Sequence, residues 1–297
     1  MILLPRFPLL NCGRPTDYAV HAWETRPFAQ HEVQDKRARR AMEDRLRRGL
    51  YALARFRWPQ LRRSQRGFII NPFVFAPATD PYFSSVVLLL HCDGTDGSTT
   101  FTDVKGHTVT ANGNAHIETD DSKFGGASGY FDGTGDYLTS ADSGDWNFGT
   151  GDLTKEMWIN RGTPGVDQHV LARVNSGGNF DMIRVQSDAK VRIFAFTSGA
   201  TVTDITSVGT VSTGTWAHIA WGRAATSADF HLDGTSNNTV TTNGAGAYPS
   251  PATDLVIGAA YDLGQPWTGY IDEVRITKGV ARYTANFTPP SAAFPDS

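Results

Sequence analysis

The sequence predicts a mainly β protein, an antiparallel sandwich of two sheets, preceded by an N-terminal extended arm and a basic amphipathic helix. From Val86 onward, segments rich in β-branched and aromatic residues alternate with Gly, Asn, Asp and Ser at intervals of about 8–15 residues. This rhythm is typical of short strands joined by tight turns. Before that point, residues 29–57 show the hydrophobic period of a helix instead.

The predicted helix has an apolar face and a basic remainder. Its apolar positions recur at spacings of four and three residues, at Met42, Leu46, Leu50 and Leu53. Residues 1–70 hold 15 of the 27 Lys and Arg residues but only 6 of the 30 Asp and Glu residues. This charge split predicts two parts with different partners, residues 1–80 and residues 81–297.

A basic amphipathic helix can bind an acidic protein surface, nucleic acid or an anionic membrane. The interspersed acidic residues argue against nucleic acid, and the apolar face lacks the row of bulky residues that a membrane-surface helix needs. We therefore expect residues 1–80 to dock on other protein chains, with neither nucleic acid nor membrane as the partner. The residues expected to make this contact are Arg40, Leu46, Arg47, Arg48, Leu50, Leu53 and Arg55.

The two cysteines, Cys12 and Cys92, fit neither a disulfide framework nor a zinc site. Cys92 follows the apolar run "VVLLLH" and is expected to be buried. No apolar run approaches the ~20 residues of a membrane-spanning helix. The apolar start of the chain has no basic region ahead of it, so we interpret it as an extended arm and not a signal peptide.

Several stretches follow one another in a recognisable order. They are "LLLHCDG" (88–94), "SKFGGASGYFDGTGDYLTSADSGDWNFGTGDLTKEMWI" (122–159), "TWAHIAWGR" (215–223), "FHLDG" (230–234), "VIGAA" (256–260) and "GYIDEVRITKGVARYTANFTPP" (269–290). Segment 86–290 resembles the LamG-like, concanavalin A-like jelly-roll domains of bacteriophage and bacterial surface proteins. The resemblance implies a two-sheet jelly roll, which in such proteins often binds carbohydrate and often is only structural. Lys155 stands where an aliphatic residue is usual, and we expect it to face solvent.

The adjacent acids Asp272 and Glu273 suggest a catalytic pair, as in the glucan hydrolases that occur on related jelly rolls. Such enzymes need two carboxylates facing one cleft, roughly 5–9 Å apart, whereas neighbouring residues on a regular strand point to opposite faces. On that pattern Tyr270, Asp272, Val274 and Ile276 share one face. We therefore expect no catalytic residues, and we expect Asp272 to be bonded by Arg275, Arg282 or backbone amides.

A sugar-binding site needs an exposed aromatic face with polar side chains beside it. The stretch "YDLGQPWTG" offers Trp267 with Gln265, Asp262 and Tyr261, and the loop-like surroundings of Trp146 and Tyr248 make these two rings further candidates. An alternative for Trp267 is that it only caps the core.

Related domains sometimes hold Ca²⁺ at the rim of the sandwich through carboxylates and carbonyl oxygens. The candidate ligands are Asp93, Asp96, Asp132 and Asp136. Asp-Gly pairs are also common turn signals, and "DGTDG" lacks the ligand spacing of an EF-hand. We therefore expect no cofactor, with Ca²⁺ as the one alternative.

From the resemblance and the charge split we expect a non-enzymatic virion protein of a tailed phage, on the particle surface as a tail, fibre or capsid decoration component. Residues 1–80 would attach it to other virion proteins, as a homo-oligomer or in many copies. The jelly roll would be displayed outward, where host cell-surface glycans are its expected ligands. Two alternatives stay open, a stand-alone carbohydrate-binding lectin and, less favoured, a glycoside hydrolase.

Overall fold

The computed structural model describes residues 79–175, 178–197, 199–242, 246–260 and 262–297. Within these ranges the chain forms seventeen strands and two short 3-10 turns, Phe83–Ser85 and Gly144–Trp146. No helix in the described ranges is long and apolar enough to cross a membrane. The helix predicted over residues 29–57 and its seven docking residues lie outside the described residues, and they stay predictions.

The strands are numbered along the chain. The first eight are β1 (Val86–Leu90), β2 (Thr100–Thr102), β3 (Thr108–Asn112), β4 (His116–Glu118), β5 (Ser128–Asp132), β6 (Tyr137–Ser140), β7 (Leu153–Arg161) and β8 (Gln168–Val174). The next are β9 (Phe180–Val185), β10 (Val191–Thr197), β11 (Ala200–Ser207), β12 (Trp216–Ala224), β13 (Ser227–Leu232), β14 (Thr235–Ser236), β15 (Asn238–Thr242), β16 (Leu255–Ile257) and β17 (Thr268–Lys278).

The strands form two antiparallel sheets. Sheet A has the order β14-β13-β12-β7-β17-β5-β4, and β1 also pairs with β17. Sheet B has the order β15-β11-β10-β9-β8-β16-β6-β3-β2. Strands that are distant in the chain lie side by side in both sheets, as in a jelly roll. The predicted two-sheet antiparallel jelly-roll sandwich is therefore confirmed for the described part of the chain.

The core lies between the sheets. Sheet A contributes Leu88, Phe131 and Ile159, and sheet B contributes Leu171 and Ile193, all of them buried. Burial of this apolar surface is the main force that holds the two sheets face to face. Cys92 is buried at the edge of the same cluster, as its position after an apolar run predicted.

Strand β17 contains a bulge that alternation did not predict. Glu273 has φ of 53°, and the pairing with β7 passes from Asp272 opposite Trp158 to Arg275 opposite Glu156, which leaves one extra residue on β17. A bulge of this kind reverses which face the following side chains occupy. The expectation that Tyr270, Asp272, Val274 and Ile276 share a face is therefore wrong. Val274 and Ile276 join the core, whereas Asp272 lies on the outer face with Trp158.

Lys155 lies on the inner face of β7, between Leu153 and Met157, and only 1% of its surface is exposed. Its ammonium group forms an ion pair with Asp181 of β9, in the opposite sheet. The expectation that Lys155 faces solvent is therefore wrong. A charge in this position is tolerated because a carboxylate reaches it across the core.

The C-terminal segment covers the outer face of sheet A after the bulge. Tyr283 and Phe287 stack with their ring centroids 3.6 Å apart, and both rings contact His218 and His231. The predicted packing of Tyr283 and Phe287 back onto the sandwich is therefore confirmed. Ser297, the last residue, accepts a hydrogen bond of 2.7 Å from Asp80 N, at the start of the described residues. The boundary at residue 81 between the two predicted domains stays a prediction.

Gly234 lies directly against the backbone of this covering segment, at Phe287. It has φ of 73°, and a Cβ there would lie 2.0 Å from the carbonyl oxygen of Phe287. We expect Gly234→Ala to displace the segment and to lower the free energy of unfolding by at least about 1 kcal/mol more than Gly214→Ala does. Gly214 is the matched control because it has φ of 69° and no heavy atom within 4 Å of the added Cβ. If urea unfolding shows that both variants lose the same free energy of unfolding, the close contact between Gly234 and Phe287 does not contribute to stability.

Candidate functional site

Three of the aromatic residues predicted to bind sugars lie in the core. Trp267, Trp146 and Tyr248 are 0%, 1% and 2% exposed. The indole NH of Trp146 donates to Ala141 O at 3.1 Å, and the hydroxyl of Tyr248 donates to Asp181. Their prediction as exposed sugar platforms is wrong because the polar residues around them form the loop surface while the rings turn inward. Tyr261 lies outside the described residues.

Asp262 and Gln265 are exposed, as a binding role requires. They lie in the turn between β16 and β17 and line a hollow of about 190 Å³ above β8 and β9. Their role in binding stays a proposal.

The four predicted calcium ligands do not form a cluster in the described ranges, and some of them are bonded to backbone amides. Asp136 is buried, and its two oxygens accept from Asn114 N at 2.5 Å and Asp132 N at 2.8 Å. Asp96 Oδ1 accepts from Thr119 N at 3.3 Å, and Asp93 is exposed. In the described ranges no group of three or more His, Cys, Asp and Glu side chains is placed to hold a metal ion. The calcium hypothesis gains no support from this geometry and stays a prediction.

A row of side chains crosses five neighbouring strands on the outer face of sheet A. Each member is paired in register with the next, His116 of β4 with Tyr130 of β5, Tyr130 with Tyr270 of β17, Tyr270 with Asn160 of β7, and Asn160 with Trp216 of β12. We call these five side chains the aromatic row. Since strands lie ~4.8 Å apart, the row extends over about 19 Å.

The rings of the aromatic row contact one another and remain partly exposed. Centroids are 5.4 Å apart for His116 and Tyr130, 5.2 Å for Tyr130 and Tyr270, and 6.3 Å for Tyr270 and Trp216. The rings are inclined to their neighbours by 45° to 62°. Contiguous exposed apolar patches commonly mark interaction sites, so these four partly exposed aromatic side chains form a candidate site.

Asp121 fixes the polar groups of the aromatic row. Its two oxygens accept from Asn160 Nδ2 at 2.8 Å and from the indole NH of Trp216 at 2.9 Å. These bonds hold the amide and the indole in fixed orientations, which reduces the entropy lost on binding a ligand. Burial, and then the neighbouring Tyr130, raises the pKa of Tyr270 above its usual value, so its hydroxyl stays protonated and able to donate.

The loop beside the row is held by Asp272. Asp272 Oδ2 accepts from Lys123 N at 2.9 Å and Phe124 N at 3.1 Å, which confirms the expectation that backbone amides bond this carboxylate. The ammonium group of Lys123 then lies 3.8 Å from the ring centroid of Trp158. Burial raises the pKa of Asp272 to about 7 against the opposing effect of these amides. Asp272 therefore positions the edge of the candidate site and does not face a ligand.

Glu273, the second member of the suggested catalytic pair, and Glu156 of β7 also have structural partners. Glu273 Oε1 lies 2.7 Å from His91 Nδ1, and its Oε2 accepts from Phe294 N at 2.8 Å. Glu156 pairs with Arg275 at 2.9 Å and accepts from the hydroxyl of Tyr283 at 2.7 Å. All three acids are buried. None of them faces the aromatic row with a second carboxylate, as a glycosidase pair would.

An aromatic row of this kind suits a ligand with apolar faces and hydroxyl edges. Aromatic rings contribute large apolar contact areas, while the Tyr hydroxyls can bond polar groups at the edge of the ligand. The sequence did not reveal the row because its members come from five strands whose register is not encoded locally. Tyr270 is the one member that the sequence analysis names, and it is named there only for the strand face on which it lies.

The sandwich and its aromatic outer face define a lectin-like β-sandwich. Residues 132–282 match the model of the concanavalin A-like lectin/glucanases superfamily, and the chain belongs to this family. The family part of the predicted resemblance is thereby confirmed over these residues. The family's description covers both lectins and glucanases, so membership leaves open whether a member binds or cleaves sugars. No curated protein sequence matches the chain.

Two solved structures show the same fold at low identity. The binding domain of Paraclostridial Mosquitocidal Protein 1 is 13% identical with a TM-score of 0.52, over 67% of this chain and 50% of that one. Domain 4 of AbnA, an extracellular arabinanase from Geobacillus stearothermophilus, solved with arabinotriose, is 16% identical with a TM-score of 0.50, over 66% of this chain and 94% of that one. The match thus spans about half of the first structure's length, and these similarities show the fold alone.

Proposed function

We propose that the β-sandwich is a carbohydrate-binding module without catalytic activity, and that its ligand lies along the aromatic row. The observation that carries this proposal is the register of His116, Tyr130, Tyr270, Asn160 and Trp216 across five adjacent strands. Stacking on the inclined rings accounts for affinity, and the Tyr hydroxyls account for recognition of hydroxyl groups.

The length of the row favours a chain of sugars as the ligand. A row of about 19 Å presents one side chain for every ~4.8 Å of strand spacing, so an extended oligosaccharide can meet several rings at once. Each ring adds a modest contact, and several in line add up to useful affinity. The arabinotriose complex of the similarly folded arabinanase domain supports a sugar chain as the ligand class.

The absence of catalysis is part of the proposal. It is supported by the contacts of Asp272, Glu273 and Glu156, which are buried and bonded to backbone amides, His91 and Arg275. The glycoside hydrolase alternative predicts a different result. If it were correct, the wild-type protein would release reducing sugar from a bound polysaccharide, and Asp272→Asn would abolish that release. Any such release by the wild-type protein would overturn this part of the proposal.

Tyr270→Ala is the central test because Tyr270 contacts both Tyr130 and Trp216. We expect Tyr270→Ala and Trp216→Ala each to weaken binding to a recognised glycan at least about 10-fold, or about 1.4 kcal/mol. A glycan array with the wild-type protein identifies the glycan, and isothermal titration measures the variants. Phe194→Ala is the matched control because Phe194 is a partly exposed ring in a cluster on sheet B.

Two outcomes would contradict the proposal. If the array gives no hit with the full chain, the sandwich is not a sugar-binding module. If Phe194→Ala weakens binding as much as Tyr270→Ala does, the ligand does not lie along the row.

We further propose that the protein is a surface component of a phage particle, attached to other virion proteins through residues 1–80 and present in several copies. The basic composition of residues 1–70 and the resemblance of segment 86–290 to phage surface domains support this role. Deleting residues 1–57 is expected to remove the protein from purified particles in an immunoblot. Normal incorporation would contradict the anchoring role. Glycan binding by a protein that particles never contain would favour the stand-alone lectin.

A further inference from the structure

A hollow lies on sheet B, the opposite sheet from the one that carries the aromatic row. Ala260 and residues 262–265 lie over the outer face of β8 and β9, beside a space of about 190 Å³. The side chains that line it are His169, Met182, Arg184, Ala260, Asp262 and Gln265. We call this hollow the turn pocket. Its volume is below that of drug-sized sites, which points to a small ligand.

The turn pocket is held in shape by backbone hydrogen bonds. His169 N donates to Gln265 O at 2.9 Å, which fastens the turn to β8, and Ala260 N donates to Gly264 O at 3.0 Å. Leu263 and Gln265 adopt φ of 62° and 48°, a left-handed region that is unfavourable for residues other than glycine. Strain of this kind is often found at ligand sites, where the surrounding structure maintains it.

His169 forms part of the pocket wall and is only 4% exposed. Among the described residues, neither of its ring nitrogens has a hydrogen-bond partner. Burial, and then the charge of Arg184, lowers the pKa of His169 to about 4, so the ring is neutral at physiological pH. A neutral imidazole has one donor and one acceptor nitrogen. A hydroxyl group, which donates and accepts, would complement it, because a buried polar group without a partner is destabilising.

The turn pocket has no excess of positive charge. Arg184 contributes one guanidinium, which already pairs with Asp167 at 3.3 Å, and Asp262 contributes a further carboxylate. Two carboxylates thus lie near one guanidinium, so an uncharged ligand fits better than an acidic one. Met182 and Ala260 add apolar wall, and the Gln265 amide adds a donor and an acceptor.

We propose that the turn pocket binds one neutral sugar ring, either a free monosaccharide or the terminal residue of a glycan. This proposal rests on the proposed carbohydrate function and adds a second site to it, on sheet B. Hydroxyl groups would bond the imidazole of His169, the amide of Gln265 and the carboxylate of Asp262, and the apolar face of the ring would contact Met182.

Titration of the full chain with glucose, galactose and mannose tests the turn pocket. We expect saturable binding of at least one of them, weakened at least 10-fold by Gln265→Ala and by His169→Ala and unchanged by Trp216→Ala. Gln265 is exposed, so its variant should fold even if the His169 variant does not. Glucuronate is expected to bind more weakly than glucose. A trisaccharide that ends in the recognised sugar and binds more tightly than the free sugar would identify a glycan end as the ligand.

The outcomes separate the two sites. If Tyr270→Ala removes monosaccharide binding while Gln265→Ala and His169→Ala leave it intact, the turn pocket proposal is overturned and the aromatic row stands. If Gln265→Ala removes monosaccharide binding and Tyr270→Ala leaves glycan binding intact, the turn pocket stands and the row is overturned. If none of the three sugars binds, or glucuronate binds more tightly than all of them, the turn pocket proposal fails.

Discussion

Asp181→Asn is expected to lower the free energy of unfolding by about 3–5 kcal/mol, because it leaves a buried lysine without its counter-charge. The ammonium group of Lys155 bonds to Asp181, and each side chain of the pair is 1% exposed. Burial already lowers the pKa of Lys155, and the carboxylate of Asp181 opposes that effect. The asparagine keeps the shape of the side chain, so the loss reports charge and not volume. Urea unfolding followed by fluorescence measures it.

A double-mutant cycle shows whether the pair acts as a unit. Lys155→Met alone leaves Asp181 with the hydroxyl of Tyr248 as a partner, and the double variant Lys155→Met, Asp181→Asn removes both charges. We expect the double variant to be more stable than the sum of the two single losses predicts, because neither charge is then left unpaired. Additive losses would contradict a coupled buried pair.

The surface pair of Arg192 and Asp204 is the matched control. Both of its nitrogen–oxygen contacts are 2.8 Å, but the side chains are 29% and 22% exposed. We expect Asp204→Asn to cost less than about 1 kcal/mol, because solvent screens and replaces the lost charge.

Acid is expected to remove about 3 kcal/mol of stability through Glu156 alone. Burial would raise the pKa of this carboxyl, but the charge of Arg275, the neighbouring imidazole of His218 and the hydrogen bond from the hydroxyl of Tyr283 outweigh it and lower the pKa to about 2. A folded-state pKa below the ordinary 4.5 means that the contribution is present above pH 4.5 and is lost as the pH falls through about 2. A difference of this size corresponds to about 3 kcal/mol, at about 1.4 kcal/mol per pKa unit.

The measurement is the free energy of unfolding of wild-type protein and Glu156→Gln at a series of pH values from 2 to 8. We expect the two to differ most above pH 4.5 and to converge towards pH 2. A constant difference would show that the carboxylate of Glu156 is not the titrating group. Asp272 acts in the opposite direction, since its pKa is raised to about 7 and its contribution to stability is lost as the pH rises from 3.8 to 7. Asp272→Asn removes that second slope.

The sandwich was predictable because alternation and turns are local properties of the sequence. The segments "VVLLLH", "WAHIAWGRA" and "YIDEVRIT" each gave a strand, since β-branched and aromatic residues there lie between clear turn signals. Lys155 was misplaced because its partner Asp181 is 26 residues away on the other sheet. Alternation places a residue on one face or the other, but it does not say which ion pair makes a buried charge tolerable.

The candidate site was harder to predict than the fold. Trp146, Tyr248 and Trp267 were chosen because they lie in polar loops, yet each turns inward to fill the end of the core. The aromatic row depends on register, which is set by the packing of whole strands and by bulges such as the one at Glu273. Asp262 and Gln265 were predicted as companions of Trp267; both are exposed, and their part in a sugar site stays a prediction.

The bulge at Glu273 gives strand β17 two segments of opposite phase. In the first, Tyr270 faces outward to an open surface, and in the second, Arg275 faces outward beneath the C-terminal segment. One strand therefore supplies both part of the open aromatic row and a covered, charged segment, with a single residue separating them. Deleting that residue would bring the two segments into one phase and turn Val274 and Ile276 out of the core. The bulge thus lets one strand expose Tyr270, cover Arg275 and keep its apolar residues in the core.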